Sequence, residues 1–416
     1  MTESVSPHKT IVFLRRLAPF MGLIAIFIAG ALLNGSTFLN MYNQLNVLGR
    51  VSIKALPAVG MTLVIISAGI DLSVGSLVSL SSVICAMLLM ERDMSKASTL
   101  SLMLVSLLGL VAGYAVVSRS AVRLGLQRKT SGAVGLGGGI IAAAVLLAWG
   151  FGQVTSGFST VAVLLIVPAV GAVFGCLNGI IISKGKIQPF IVTLGMMSAA
   201  VGLSKYIAGK GGQIHTIYYD AAGYSAEGTA HIAPDSFNLL NSTIPLFGVK
   251  VFPVTGIFFL ASVLVLHFVL TRLRFGRYLY AIGGNEETAR LSGIDVDRVK
   301  VVTYAISGGL AALAGVLYCS AYTQGKADAG ITWELDAIAA VVIGGTSLMG
   351  GRGSVIGTMV GVLILGYLSN ILNLQEVSSE VQDILKGVII VGAVLLQEGT
   401  VVRWIRALKR RIGHEY

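Results

Sequence analysis

Apolar runs of membrane-spanning length alternate along this chain with short polar connections. The first covers roughly 17–33, the second 51–70 and the third 72–90; runs at 99–117, 131–150, 159–183, 187–209, 251–270 and 301–321 follow. Two helical stretches come next, within 334–372, separated by GGTSLMGGRGS, and DILKGVIIVGAVLL closes the series. About 20 apolar residues cross a bilayer as an α-helix, so the pattern predicts an all-α polytopic transmembrane helical bundle of twelve spans. The polar connection NGSTFLNMYNQLNVLGR is expected outside the membrane as an amphipathic piece. Two interruptions break the apolar pattern. AGIDLSVGSL places Asp71 between two apolar runs, and six glycines across 344–357 make a continuous helix there energetically poor.

Composition agrees with the pattern: 55% of the residues are hydrophobic, only 12% are charged, and the mean hydropathy is +0.84. The formal charge of +11 sits in loops and tails, where basic residues mark the cytoplasmic side. Arg119, Arg123, Arg128 and Lys129 share one such loop with no acid, and Arg403, Arg406, Lys409, Arg410 and Arg411 crowd the carboxyl-terminal tail. Both termini are therefore expected inside: a tail over 1–16, a transmembrane domain over 17–400 and a basic tail over 401–416. The first apolar run is expected to be a retained span, because no small-residue cleavage site follows it. The polar segment 210–250 then faces outward. Arg50 and Lys54 also fall outside, and are expected to snorkel from the interface. The basic residues sit in loops and tails beside the spans and form no patch with interleaved aromatics, so no nucleic-acid partner is expected. Cys85, Cys176 and Cys319 lie in apolar runs without metal or redox spacing.

The stretch 271–300 is the longest polar run between apolar segments in the second half of the chain. Within it Glu287, Ala289 and Gly293 stand in the order Glu-x-Ala-x-x-x-Gly, helix formers ahead of a residue able to end a helix. A short surface helix with a sharp stop is predicted. This stretch resembles the loop through which permeases of ATP-binding-cassette importers dock onto their ATPases, and GGNEETARLSGI resembles the version in the ribose, galactose and xylose permeases. The distal part of the general loop pattern is absent. Three further stretches, AGIDLSVGSL, PFIVTLGMMS and VVIGGTSLMGGRGSVIGT, are similar to the same family and occur in the same order. The resemblance implies ten core spans, with a two-helix insertion over 98–150. It also implies docking residues Gly283, Gly284, Asn285, Glu286, Glu287, Ala289, Gly293 and Ile294. The implied partners are a separate ATPase that uses the ATP, an extracytoplasmic solute-binding protein and a second permease copy, in a bacterial cytoplasmic (inner) membrane. No cofactor of this chain's own is implied.

The sequence contains no phosphate-binding loop, no zinc motif and no nucleophilic cluster at membrane-surface depth, so neither catalysis nor a metal is expected. Transport remains. Asp71, Ser73, Ser76, Asn178, Thr193, Tyr304 and Ser307 are the candidate path or gate residues, polar groups suited to a neutral monosaccharide or polyol. For Asp71 a helix-capping role competes with a gating role. The two interrupted spans, around 71 and 350, mark either a route between internal repeats or a similarity of composition. An ion-coupled secondary transporter is the rival class; it needs titratable groups near the midplane. The charge reading has a direct test. A cysteine at Gln127 should resist membrane-impermeant thiol reagents in intact cells, and labelling from outside would overturn the twelve-span arrangement.

Overall fold

In a computed structural model, residues 7–90, 138, 159–215, 235–246 and 249–397 are described. The helices are α1 (Pro7–Leu39), α2 (Met41–Ile66), α3 (Val74–Met90), α4 (Thr160–Gly185), α5 (Pro189–Ala208) and α6 (Val254–Arg272). They continue with α7 (Arg274–Gly284), α8 (Glu286–Leu291), α9 (Val296–Tyr322), α10 (Trp333–Ile343), α11 (Val355–Leu374) and α12 (Ser379–Gln397). Seven of the described helices are long and apolar enough to cross a membrane, and the chain is a multi-pass membrane protein. The inserted pair expected over 98–150, with its basic loop, lies outside the described residues apart from residue 138, as does the tail over 401–416.

The amphipathic piece expected over 34–50 is helical apart from Asn40. The first helix runs on to Leu39 through a kink at Gly35 (φ 47°), and α2 starts at Met41, where the Asn40 side chain accepts the Tyr42 N–H. The amphipathic pattern there arises because Leu45 and Val47 turn into the protein while Asn46 and Arg50 do not. At its other end α2 stops at Ile66, four residues short of the expected 70. The polar region 210–250 is not featureless either. It contains β1 (Gln213–His215), a one-turn helix (Asp235–Asn238), β2 (Thr243–Leu246) and the start of β3 (Val249–Pro253). β2 and β3 form an antiparallel hairpin; β1 pairs antiparallel with β4 (Gln324–Lys326), tying the end of α5 to the connection between α9 and α10.

Helix α9 is the centre of the bundle, packed against α4, α3 and α2. Its long buried face carries many small residues, including Ser307, Gly308, Ala311, Ala312 and Gly315. Lipid tails are as apolar as leucine, so close backbone approach and dispersion hold such helices together. At the α4–α9 crossing a Cβ on Gly175 would run into the backbone of Tyr304, and one on Gly308 into the backbone of Gly171. Gly175→Val or Gly308→Val is therefore expected to cost at least the 1–3 kcal/mol typical of overpacking, read as a lowered thermal midpoint in detergent. Gly195→Ala on α5, whose added Cβ meets nothing within 4 Å, should leave the midpoint in place.

Candidate functional site

Between α2 and α3 the chain leaves helical geometry for residues 67–73, and the Asp71 carboxylate organises this break. Oδ1 accepts the Ser73 N–H at 3.0 Å and the Ser73 hydroxyl at 2.6 Å; Oδ2 accepts the Ser307 hydroxyl of α9 at 3.0 Å. Asn178 of α4 donates to Ser73 Oγ at 3.0 Å, and Ser76 donates back to the Ser73 carbonyl at 2.7 Å. Tyr304 and Thr193 both reach the Ile70 carbonyl, each at 3.4 Å. All seven sequence-selected polar residues thus meet at one place, and all are buried. The capping reading of Asp71 needs adjustment: α3 is opened by the Ser73 carbonyl, which accepts the Leu77 N–H. Asp71 braces the turn ahead of the helix and bonds across to α9. Burying a carboxylate costs several kcal/mol unless donors surround it, and three donors do so here.

The other break, residues 344–354 between α10 and α11, is a glycine-built turn. Gly350 (φ 83°) and Gly351 (φ 69°) occupy the left-handed region that side-chain-bearing residues avoid. This turn lies on the end of α2, where the Gly351 N–H donates to the Ile66 carbonyl at 2.9 Å. Helix α7 closes the same junction. The Tyr280 hydroxyl donates to the Gly353 carbonyl at 2.8 Å, and a Cβ on Gly283 would strike both the Ile66 carbonyl and the Gly351 nitrogen.

From this junction the chain enters α8. The Asn285 side chain accepts the Thr288 N–H at 2.8 Å, as a helix cap. The stop is made by Gly293 (φ 83°): its N–H reaches the Arg290 carbonyl at 3.0 Å, and the Ile294 N–H reaches the Ala289 carbonyl at 3.1 Å. Glu286 pairs with Lys300 at 2.6 Å, and Arg290 lies 3.0 Å from Asp297 and 3.5 Å from Glu286. The hydrogen bond that Arg290 donates to Asp297, and then the charges of the nearby carboxylates, push the Arg290 guanidinium above its ordinary range. Gly284, Asn285, Glu286 and Glu287 are exposed, while Gly283 and Ala289 are buried and Ile294 is half-buried. Leu291, 81% exposed, and Met349, 72% exposed, are apolar tips on α8 and on the glycine turn that sequence reading passed over.

Sequence reading also missed a cavity of about 370 Å³ between α2, α10, α11 and α12. Lys54 does not snorkel outward. It turns into this cavity, donates to Asp336 at 3.1 Å and sits 5.3 Å from the centre of the Trp333 ring. Lys386 of α12 approaches the other Asp336 oxygen at 3.9 Å and pairs with Asp383 at 3.0 Å. Asn43 and Asn370 exchange side-chain bonds of 3.1 and 2.9 Å across its wall. None of the seven polar residues of the Asp71 cluster lines it. The available signal was the position of Arg50 and Lys54, cations on the side where few are expected; water in a cavity removes the penalty.

Broken helices joined by backbone contacts, and a polar cavity enclosed by four helices, define a membrane permease. The comparisons with known proteins agree. The family described as "Branched-chain amino acid transport system / permease component" matches residues 130–394, more than half of the chain. Ribose import permease protein RbsC of Bacillus subtilis is 36% identical over 92% of each chain, and that of Escherichia coli is 35% identical over 90% of this chain and 92% of its own. Galactose/methyl galactoside import permease protein MglC of Escherichia coli is 29% identical over 90% of this chain and 91% of its own. No solved structure gives a significant match. The chain belongs to the permease family that includes these ribose and galactose import proteins.

The charge cluster of the cavity makes a prediction of order. Lys54→Met leaves Asp336 with Lys386 and should cost no more than about 1 kcal/mol, since Lys54 is 44% exposed. Asp336→Asn leaves two lysines without their shared acid. It should lower the thermal midpoint in detergent more than Lys54→Met does, with the gap narrowing as salt is raised.

Proposed function

We propose that this chain is the membrane-spanning permease subunit of an ATP-binding-cassette importer that moves a monosaccharide or polyol across the bacterial inner membrane. The observation that carries this is the 36% identity with a ribose import permease over 92% of both chains. The family description also mentions branched-chain amino acids. The cavity here mixes carboxamides and charged groups with apolar and aromatic side chains such as Val47, Leu365 and Trp333, a combination suited to the hydroxyl groups and apolar ring face of a sugar. A separate ATPase docks on the α7–α8 loop, a solute-binding protein delivers the sugar on the opposite face, and two permease copies assemble with both termini inside. Exposed Glu287 and Leu291, on a helix fixed at both ends by Asn285 and Gly293, present a small, rigid, partly apolar contact to that ATPase. The Asp71 cluster is the joint that holds α3 and α9 together while other helices move.

Docking and coupling separate experimentally. Glu287→Arg, and Gly293→Pro at a position whose φ of 83° proline cannot adopt, should abolish both co-purification of the ATPase and uptake while leaving membrane insertion intact. Gly283→Ala should instead keep the ATPase bound but cut uptake at least tenfold; Gly195→Ala, with nothing within 4 Å of its Cβ, should be silent. In proteoliposomes, ATP hydrolysis should rise with a ribose- or galactose-loaded binding protein. Stimulation only by a leucine-loaded one would refute the sugar assignment.

A further inference from the structure

The glycine turn between α10 and α11 ends in an exposed tip that its own backbone closes. The Ser347 N–H donates to the Arg352 carbonyl at 3.0 Å, the Gly350 N–H to the Ser347 carbonyl at 3.0 Å, and the Met349 N–H to Ser347 Oγ at 3.3 Å. The backbone of the tip is therefore fixed, and two side chains stand out from it. Met349 is exposed, and so is Arg352, whose guanidinium makes no hydrogen bond or ion pair to other described residues. The tip is also continuous with the α7–α8 loop. A Cβ on Gly350 would meet the Gly283 carbonyl at 2.9 Å, and one on Gly351 the Gly284 nitrogen at 3.0 Å. From Gly284 the exposed stretch Asn285, Glu286 and Glu287 leads onto α8. On this side the tip borders a polar, exposed loop.

We propose that Met349 and Arg352 form a second contact for the ATPase, continuous with the one on α8, so that the ATPase grips the permease at two points. This rests on the reading that the ATPase docks on the α7–α8 loop. Methionine and arginine are enriched in protein interfaces. An exposed apolar tip beside an unpaired guanidinium fits a partner surface that offers an apolar recess flanked by a carboxylate. The two points do different work. A contact on a helix of six residues alone leaves the ATPase free to pivot, and its motion reaches the spans through the neighbouring helices α7 and α9. The glycine turn is joined to the spans directly. Helix α10 runs into it, α11 runs out of it, and the Gly351 N–H holds the Ile66 carbonyl at the end of α2 at 2.9 Å. A pull on the tip therefore moves three helices at once, while α8 sets the orientation of the ATPase.

Inside-out membrane vesicles test this, with the permease alone or bound to its ATPase. Met349→Cys and, separately, Leu291→Cys on α8 are treated with sulfonatoethyl methanethiosulfonate, a membrane-impermeant thiol reagent. The unsubstituted chain is the background. In the permease alone both positions should label, and bound ATPase should slow both at least tenfold. An unchanged rate at Met349→Cys in the complex overturns the second contact, and so does failure to label it in the permease alone, the mark of a tip sunk in lipid. Leu291→Cys reports on the α8 reading by itself. Protection there without protection at Met349→Cys removes only the second contact; the reverse result removes the α8 docking and leaves the second contact standing. Another measurement needs no cysteine at the tip. Met349→Asp combined with Arg352→Glu should reduce co-purification of the ATPase at least tenfold without moving the thermal midpoint of the permease in detergent, whereas Met349→Leu, which keeps an apolar tip, should retain the ATPase. Full co-purification with the double variant overturns the proposal.

Discussion

The structure depends on one requirement of the bilayer: a backbone group freed by a broken helix must find a partner inside the protein, because hydrocarbon supplies none. Among the described residues, apolar helices are broken after Ile66 and after Ile343, and the two breaks satisfy each other. The Ile66 carbonyl, released where α2 stops, takes its proton donor from Gly351 in the opposite turn. The glycines follow from this. With any side chain at 283, 350 or 351 the backbones could not lie this close, and the carbonyl would be left unpaired at a cost of about 1–3 kcal/mol. The place where the fold is most constrained is therefore also where the α7–α8 loop touches the transmembrane helices.

Much of the fold was legible because a membrane simplifies sequence. Span length, the interruption at Asp71 and the glycine run located the breaks at 67–73 and 344–354, and the order Glu-x-Ala-x-x-x-Gly marked a short helix that ends where Gly293 takes a positive φ. The convergence of Asp71, Ser73, Asn178 and Ser307 was legible only as a set of polar residues that apolar surroundings would press together. That they fill one another's bonding capacity is a matter of helix rotation, which no local pattern encodes.

The cavity was illegible for a related reason. Its chemistry comes from Lys54, Asp336 and Lys386, on α2, α10 and α12, brought within ion-pair distance from opposite ends of the chain. In sequence, Asp336 looks like an acid near the start of a helix, and Lys54 like a cation near an interface. Hydropathy averages over all faces of a helix, so it cannot show that one face looks into water. The extension of α2 back to Met41 was hidden similarly, by the polar residues Asn43, Asn46 and Arg50 that line the same space.

The arrangement of charge in that space has an electrical consequence. Arg50, Lys54 and Lys386 stand against Asp336 among the charged lining residues, and Asp383 pairs with Lys386 from just outside the lining, three positive groups against two negative, within low-dielectric walls that strengthen the field of fixed charges. Such a lining repels sodium ions and protons while leaving an uncharged solute unaffected, much as fixed cations exclude cations from other membrane pores.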